Sequence, residues 1–312
     1  MAEKNSCDRL AFRRKAAGAL GSLFRYAILS GIGFVIIYPL LYMISCAFRE
    51  PGDMSDPTVI WIPRHYTLDV IKQTMDAMDI WDTLLNTLIL NIGCSLVQVA
   101  SCAVTGYGFA RFRFRGKALM SAVVIMMILV PTQVIALPLY TQFRYFGIGK
   151  FTVNLIDTMF TMYLPAMTGN GIRSGLMILI FRQFFRGLPR ELEDAAYIDG
   201  CGPFRTFVSV MIPNAAPAFI TVFLFSVVLY WNDYYVSSTF FKDTRTLALM
   251  LRNIESALKP QFSSGGTVDV PPREQIVWKE AGCLLSISPM LLMYALLQKH
   301  FTEGIERSGL VG

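Results

Sequence analysis

Five long stretches of this sequence contain no charged residue, and they limit the possible folds more than any other feature. Each is close to or longer than the roughly 20 residues that a helix needs to cross the hydrocarbon core of a bilayer. The stretches are Tyr26 to Phe48, Thr83 to Ala110, Ala118 to Tyr140, Ala215 to Trp231 and Ala281 to Gln298. A chain with this pattern is predicted to be an all-α polytopic membrane protein, because a helix satisfies its own backbone hydrogen bonds in lipid.

Composition supports a membrane protein and argues against a nucleic-acid-binding one. Hydrophobic residues make up 54% of the chain and charged residues only 16%, whereas soluble domains average roughly 45–50% and 25%. The net charge is +6, but the basic residues lie beside the apolar stretches. There they set membrane orientation, so no nucleic-acid partner is expected.

The distribution of Lys and Arg predicts six transmembrane helices with both termini in the cytoplasm. Residues 1–25 form the cytoplasmic N-terminal segment, residues 26–300 the transmembrane domain and residues 301–312 the cytoplasmic tail. Pro131 and Pro138 are expected to break the third span.

The fourth span, from roughly Leu164 to Phe185, is predicted to follow an outer loop with a short helix near Thr152 to Met162. Arg173 interrupts the fourth span. This residue could lie on the translocation path or at the outer membrane boundary, and the boundary is favoured.

A polar segment, Leu188 to Pro217, lies between two apolar spans and is predicted to form two short helices joined by a turn. Pro189 suits a first helical position, and Glu191, Glu193 and Asp194 favour the positive end of the helix dipole. Gly200 and Gly202 are expected to end this helix in the left-handed conformation. Its residues at spacings of three and four lie on one side: Leu192, Ala195, Ala196 and Asp199.

The second helix of the segment is predicted to begin at Pro203 and to end before Pro213 and Pro217. Its apolar side would comprise Phe204, Phe207, Val208 and Met211. By chemistry alone, the two helices fit two roles equally well: an amphipathic element in the membrane interface, or a surface that docks in a groove of another protein.

The order of residues favours docking. Asp194-Ala195-Ala196, then Asp199-Gly200, then Val210-Met211-Ile212-Pro213 resembles the EAA loop of ABC importer permeases, with Asp194 in place of the usual Glu. Further similarities, to the maltose-type second permeases of carbohydrate importers, occur in the same order along the chain. They are Tyr107 to Gly116, Pro131 to Ile148, Phe181 to Phe185, Trp231-Asn232-Asp233, and Phe301 to Gly312.

This resemblance implies the type I ABC importer permease fold, in the bacterial cytoplasmic membrane, with a coupling helix in segment 188–217. It implies a second permease as heterodimer partner, two cytoplasmic ATPase subunits that bind ATP and Mg²⁺, an extracytoplasmic binding protein, and a sugar or oligosaccharide substrate. The residues expected to couple to the ATPase are Glu191, Leu192, Asp194, Ala195, Ala196, Asp199, Gly200, Phe204 and Pro213.

Other activities have little support in the sequence. No phosphate-binding loop of the Gly-x-x-x-x-Gly-Lys-Ser/Thr type occurs, so the chain is not expected to hydrolyse ATP itself. An ion-gradient-driven secondary transporter is the alternative. It predicts repeat symmetry and charged coupling residues at the membrane midplane, whereas five of the six predicted spans are uncharged. The scattered cysteines indicate neither a metal site nor disulfides. Tyr230, Trp231, Tyr234 and Tyr235 suit an interfacial aromatic belt better than sugar stacking.

Overall fold

The computed structural model describes residues 2–59, 61–149, 151–263 and 271–309. Within these residues the fold is mostly helical, as the sequence predicts. The α-helices are Ala2–Ala47, Asp69–Ala77, Ile80–Arg111, Lys117–Leu129, Thr132–Arg144, Phe160–Met167, Ser174–Gly187, Glu191–Ile198, Pro203–Thr206, Ile212–Asn214, Ala216–Trp231, Tyr235–Phe240, Leu247–Arg252, Ile254–Ser263 and Pro272–Gly309. A 3-10 turn spans Pro51–Met54, a π-helical turn spans Phe207–Met211, and strands Phe146–Ile148 and Phe151–Val153 pair in an antiparallel hairpin.

Three of the described helices are long and apolar enough to cross a membrane on their own: Gly21–Ala47, Ile80–Arg111 and Pro272–Leu296. Two bent helix pairs, Lys117–Leu129 with Thr132–Arg144 and Pro203–Asn214 with Ala216–Trp231, raise the number to five if each pair is one span. Each of the five overlaps one of the uncharged stretches of the sequence.

The third predicted span is broken at Pro131 but not at Pro138. Its two helices meet at 103°, and Val130 before the proline is extended with ψ 120°, as steric contact with a following proline ring requires. Pro138 lies inside the helix Thr132–Arg144, so the prediction of a second break was wrong. A single interior proline removes one backbone hydrogen bond, and here the helix continues past it.

The predicted fourth span is not continuous. Phe160–Met167 and Ser174–Gly187 are separate helices, and between them Gly169 and Arg173 have positive φ angles of 72° and 56°. Left-handed residues cannot continue a right-handed helix. The helix predicted near Thr152 to Met162 was also wrong, because Thr152 lies in the β-hairpin and the helix starts at Phe160.

By its contacts the described chain forms two units. In the first, which comprises residues up to 74 and the part of 261–284 that is described, Asp53 organises the loop after the N-terminal helix. This carboxylate is 6% exposed and accepts hydrogen bonds from the backbone N–H groups of Arg64 and His65 at 2.8 and 2.9 Å. Trp278 also donates its indole N–H to the side chain of Gln73 at 3.0 Å.

The second unit is built around the helix Ile80–Arg111, whose polar side chains face neighbouring helices. Asn91 donates to the carbonyl of Val227 at 2.8 Å, and Gln98 donates to the carbonyl of Ile172 at 2.9 Å. Both side chains are buried. These two polar residues of the span therefore pack against protein, where each finds a hydrogen-bond partner that lipid does not provide.

Tyr230 and Trp231 do not belong to an aromatic belt. They are 4% and 8% exposed, because the Tyr230 hydroxyl donates to Gln98 Oε1 at 2.6 Å and the Trp231 indole donates to the Ser286 carbonyl at 3.1 Å. The assignment to an interfacial belt was therefore wrong for these two residues. Their polar atoms take part in helix packing inside the second unit.

Asp157 holds the segment that follows the helix Tyr235–Phe240. Its backbone N–H donates to the carbonyl of Phe240 at 3.0 Å, and its carboxylate accepts from the backbone N–H groups of Lys242, Asp243 and Thr244 at 2.9 to 3.1 Å. Burial acts to raise the pKa of this carboxyl, but these donors outweigh it, so the pKa lies below its usual value. The segment is thereby tied to the hairpin side of the unit.

Close packing of the helices Ile80–Arg111 and Ser174–Gly187 depends on Gly106. A Cβ atom at this position would lie 2.6 Å from Cβ of Phe181 and 2.9 Å from the backbone nitrogen of Arg182.

Gly106→Ala is therefore expected to lower the free energy of unfolding by about 1–3 kcal/mol, the usual cost of overpacking. Unfolding by SDS titration in detergent micelles measures this. Gly108→Ala is the matched control, since an added Cβ there meets nothing within 4 Å; equal losses in both variants would contradict close packing at Gly106.

Candidate functional site

The segment 188–217 forms two short helices, as predicted, and the first helix ends in a hydrogen-bonded glycine cap. Gly200 has a φ of 78°. Its N–H donates to the carbonyl of Tyr197 at 3.0 Å, and the N–H of Cys201 donates to the carbonyl of Ala196 at 2.9 Å. These two bonds form a Schellman motif, which requires a left-handed residue at the position of Gly200.

Gly202 does not share this conformation. Its φ of −75° and ψ of 167° are extended, so the prediction that both glycines are left-handed was wrong. One left-handed residue already reverses the chain, and Gly202 instead precedes Pro203, which favours an extended neighbour. Pro203 then starts the second helix, as predicted.

The second helix continues past Pro213, contrary to expectation. A π-helical turn, Phe207–Met211, precedes the short helix Ile212–Asn214 that contains Pro213. In a π-helical turn each N–H pairs with the carbonyl five residues earlier instead of four. This altered pairing lets the helix include Pro213, which has no N–H. The chain then bends by 80° into the helix Ala216–Trp231.

Glu193 fastens the first helix to the end of the long helix Ile80–Arg111. Its carboxylate accepts a hydrogen bond from the Tyr107 hydroxyl at 2.6 Å and lies 3.2 Å from Nε of Arg111. The second contact is an ion pair without the alignment of a hydrogen bond. Arg111 uses its Nη2 to donate to the carbonyl of Leu188 at 2.8 Å. Both charged side chains are at least nine-tenths buried, so removal of either one would leave the other as an unpaired buried charge.

Aromatic packing surrounds the same attachment. The Tyr107 ring lies 4.8 Å from the ring of Phe207, 5.4 Å from that of Phe185 and 5.6 Å from that of Phe112, between centroids. These are normal distances for favourable aromatic pairs. Helices Ile80–Arg111 and Ser174–Gly187 and the two helices of segment 188–217 therefore meet at one cluster.

The residues predicted for coupling differ in their exposure to solvent. Most are exposed: Glu191, Asp194, Ala195, Asp199, Gly200, Phe204 and Pro213. Leu192 is half-buried and Ala196 is only 5% exposed. Ala196 packs inside the chain, so the predicted docking side of Leu192, Ala195, Ala196 and Asp199 is not a single exposed face. Ala196 lies three residues after Glu193, on the side that Glu193 turns toward the core.

Sequence reasoning missed two residues of this segment. It interpreted Glu193 as one of three acids at the positive end of the helix dipole, whereas the structure buries Glu193 against Arg111. It also did not select Ile198, whose side chain is 86% exposed. Phe204, predicted to lie with Phe207 and Met211, is 78% exposed while the other two are buried. Ile198 and Phe204 thus present large apolar side chains on either side of the Gly200 turn.

The comparisons with known proteins decide the family. Residues 103–306 match the family described as binding-protein-dependent transport system inner membrane component. The chain belongs to this family. The matched part contains both the attachment at Glu193 and the whole of segment 188–217, and it confirms the prediction of an importer permease.

Similar permeases cover almost the whole chain. Protein LplC of Bacillus subtilis (strain 168) is 28% identical over 293 residues, which are 93% of this permease and 94% of LplC. The maltodextrin transport system permease protein MdxG of the same organism is 26% identical over 299 residues, 95% and 98% of the two chains. The polygalacturonan/rhamnogalacturonan transport system permease protein YtcP, also from B. subtilis, is 25% identical over 284 residues, 89% and 94%.

A solved structure has the same fold as this permease. It is the crystal structure of a bacterial ABC transporter involved in the import of the acidic polysaccharide alginate, with a TM-score of 0.70 and 18% identity. The match covers 90% of this permease and 96% of the chain in that structure.

Proposed function

We propose that this chain is the transmembrane permease subunit of an ATP-driven importer and forms half of the pathway for a sugar or oligosaccharide. The observation that carries the proposal is the segment 188–217, which is fixed to the long helix through Glu193 while Ile198 and Phe204 stay exposed. An importer subunit needs such a part, rigid toward its own core and apolar toward a partner. Relatives named as maltodextrin and polygalacturonan/rhamnogalacturonan permeases support a carbohydrate substrate.

In this proposal the segment is the coupling element that docks in a cleft of a cytoplasmic ATPase. Ile198 and Phe204 enter the cleft, and Glu191, Asp194, Ala195, Asp199, Gly200 and Pro213 lie around them. Leu192 and Ala196 lie on the other side of the first helix and pack it against the rest of this chain. Burial of two large apolar side chains in a partner supplies affinity, and the exposed acids restrict which cleft is accepted.

Movement of the ATPase would pass into the membrane through the Glu193 attachment. Because Arg111 and Tyr107 belong to the last turns of the helix Ile80–Arg111, a displacement of the first coupling helix also displaces that span. ATP binding in the partner favours one arrangement of the spans and hydrolysis favours another, which gives alternating access. ATP and Mg²⁺ are bound by the partner, and this chain performs no hydrolysis.

The complete importer contains a second permease, two ATPase subunits and an extracytoplasmic binding protein. Six crossings with both termini in the cytoplasm fit this arrangement if Phe160–Met167 and Ser174–Gly187 together count as one broken crossing. Broken helices are tolerated at membrane depth where they are buried in protein or line a cavity.

Reconstitution into liposomes tests the proposal. The purified chain alone is expected to hydrolyse no ATP, and hydrolysis stimulated by the loaded binding protein is expected only with the second permease and the ATPase present. Sugar uptake should then require ATP and persist when ionophores collapse all ion gradients. The matched control contains every partner except this chain. ATP-independent uptake that follows an ion gradient would instead establish a secondary transporter.

A further inference from the structure

A cavity of about 300 Å³ lies inside the second unit, away from the coupling segment. Its wall is formed where the bend at Pro131 faces the turn between Phe160–Met167 and Ser174–Gly187, with Tyr230 and Phe240 on a further side. This volume is at the lower end of the range of roughly 300–1,000 Å³ found for ligand pockets. The cavity therefore suits one residue of a sugar chain and not a long oligosaccharide.

The cavity lies within the membrane and not at its outer surface. Gln98, which donates to the carbonyl of Ile172 in the cavity wall, precedes Arg111 in the same helix by about 20 Å at a rise of 1.5 Å per residue. Arg111 marks the end of that helix at the coupling segment. Since the hydrocarbon core is about 30 Å thick, the wall at Ile172 falls inside it, which argues against our assignment of the adjacent Arg173 to the outer boundary.

Arg173 is the one charged residue among those that line the cavity. Its side chain is exposed, and it makes no ion pair or side-chain hydrogen bond to any residue that the structure describes. Its backbone is left-handed, with φ 56°, a conformation that costs energy for a non-glycine residue and that concentrates at functional sites. An unpaired cation at this depth is itself a sign of a transport pathway.

Ser174, the next residue, provides a second and independent observation. It is 1% exposed and lines the cavity, yet its hydroxyl has no hydrogen-bond partner among the described residues. It is also the first residue of the helix Ser174–Gly187, and the dipole of that helix favours negative charge at this end. A buried hydroxyl without a partner costs free energy, and an anionic ligand would offset that cost.

Gly175 keeps this helix start in place. A Cβ atom there would lie 2.8 Å from the carbonyl oxygen of Val124, so only glycine lets the helix approach the helix Lys117–Leu129 so closely. The start of the helix is therefore rigid beside Arg173. Around it, Thr132, Gln133 and Asn170 offer uncharged hydrogen-bonding groups in the cavity wall.

We propose that this cavity binds the carboxylate of an acidic sugar residue during transport. The guanidinium of Arg173 and the Ser174 hydroxyl bind the carboxylate, and Thr132, Gln133 and Asn170 bind sugar hydroxyls. One guanidinium balances one negative charge, which matches a carboxylate and not a dianionic phosphate. The inference rests on the proposed function and specifies its substrate class as oligosaccharides that contain uronates.

Paired substrates that differ only in the carboxyl group test this inference. The complete importer, with its second permease, ATPase and binding protein, is assayed for uptake of trigalacturonate and of the same trimer after reduction of its carboxyls to alcohols. Trimannuronate serves as a second acidic probe. Arg173→Gln is expected to reduce uptake of the acidic trimers tenfold or more and to change uptake of any neutral trimer less than twofold. Arg173→Lys should retain part of the acidic uptake.

Arg144→Gln is the matched control, because Arg144 is also an exposed arginine of the second unit but does not line the cavity. It should leave uptake of every trimer unchanged. Equal losses of acidic and neutral uptake in Arg173→Gln would overturn the carboxylate site, as would wild-type import of neutral trimers alone. If no sugar of either kind requires this chain, the proposed function itself fails, an outcome distinguishable from the other two.

Discussion

Replacement of Ile198 and Phe204 together by aspartate is expected to release the ATPase from the importer and to abolish sugar uptake. Both side chains are more than three-quarters exposed in this chain, so the change costs its own fold little. Burial of each in a partner is worth roughly 1.5–3 kcal/mol, and every 1.4 kcal/mol is about tenfold in affinity. The double variant should therefore bind the ATPase at least a hundredfold more weakly, measured by co-purification and by stimulated ATP hydrolysis.

Two exposed apolar residues of the β-hairpin, of the same types as Ile198 and Phe204, provide a matched control. Ile148 and Phe151 are 91% and 89% exposed and lie in a loop predicted to be on the other side of the membrane from the coupling segment. Ile148→Asp with Phe151→Asp changes the same two residue types and should keep the ATPase bound. Loss of the ATPase in both double variants would show a general effect of removing surface apolar groups. Retention in both would remove the docking role from segment 188–217.

Replacement of Glu193 by alanine is expected to have the largest effect on stability. It leaves the buried guanidinium of Arg111 without its acid, and breaking a buried ion pair in this way typically costs about 3–5 kcal/mol. It also removes the acceptor of the Tyr107 hydroxyl. Unfolding by SDS titration should show the loss, and limited proteolysis should show cleavage within segment 188–217 before the rest of the chain.

Two further variants separate the contribution of the ion pair to stability from that of side-chain packing. Tyr107→Phe removes one hydrogen bond to a charged group, so a smaller loss of about 1.5–3 kcal/mol is expected. Glu193→Leu combined with Arg111→Met replaces both charges with apolar groups and should recover most of the stability, because neither charge is then left alone. If this double variant is stable and folded but ATP hydrolysis no longer drives uptake, the ion pair has a role in transmission. A stability loss no greater in Glu193→Ala than in Glu191→Ala, a change at an exposed acid, would contradict the attachment.

Local signals in the sequence were sufficient for the membrane class, for three helices of membrane-spanning length and for the break at Pro131. An uncharged stretch of spanning length has few alternatives in water or lipid, because the backbone must satisfy its own hydrogen bonds. The left-handed turn at Gly200 was also readable, since a glycine after a short helical pattern signals a helix end. The order of motifs was enough to indicate the permease family, which the match over residues 103–306 then established.

The sequence did not reveal which side of each short helix faces the core. Glu193 and Asp194 are neighbouring acids with the same helix preference, and only the position of Arg111, 82 residues earlier, buries one and exposes the other. Ala196 was misjudged for the same reason: it was placed on an exposed docking side, but the attachment at Glu193 fixes the rotation of the helix and turns Ala196 inward.

Distance in the chain also hid the cavity. Arg173 alone reads as a boundary charge, and its meaning changes only when Gln98 of another helix is seen to bond the neighbouring Ile172. Sequence periodicity determines which segments become helices, because it reflects each segment's own hydrogen bonds and burial. The rotation of those helices and the space that they enclose depend on contacts between distant residues. Here buried charges and hydrogen bonds determine both, since a buried polar group is costly to leave unpaired.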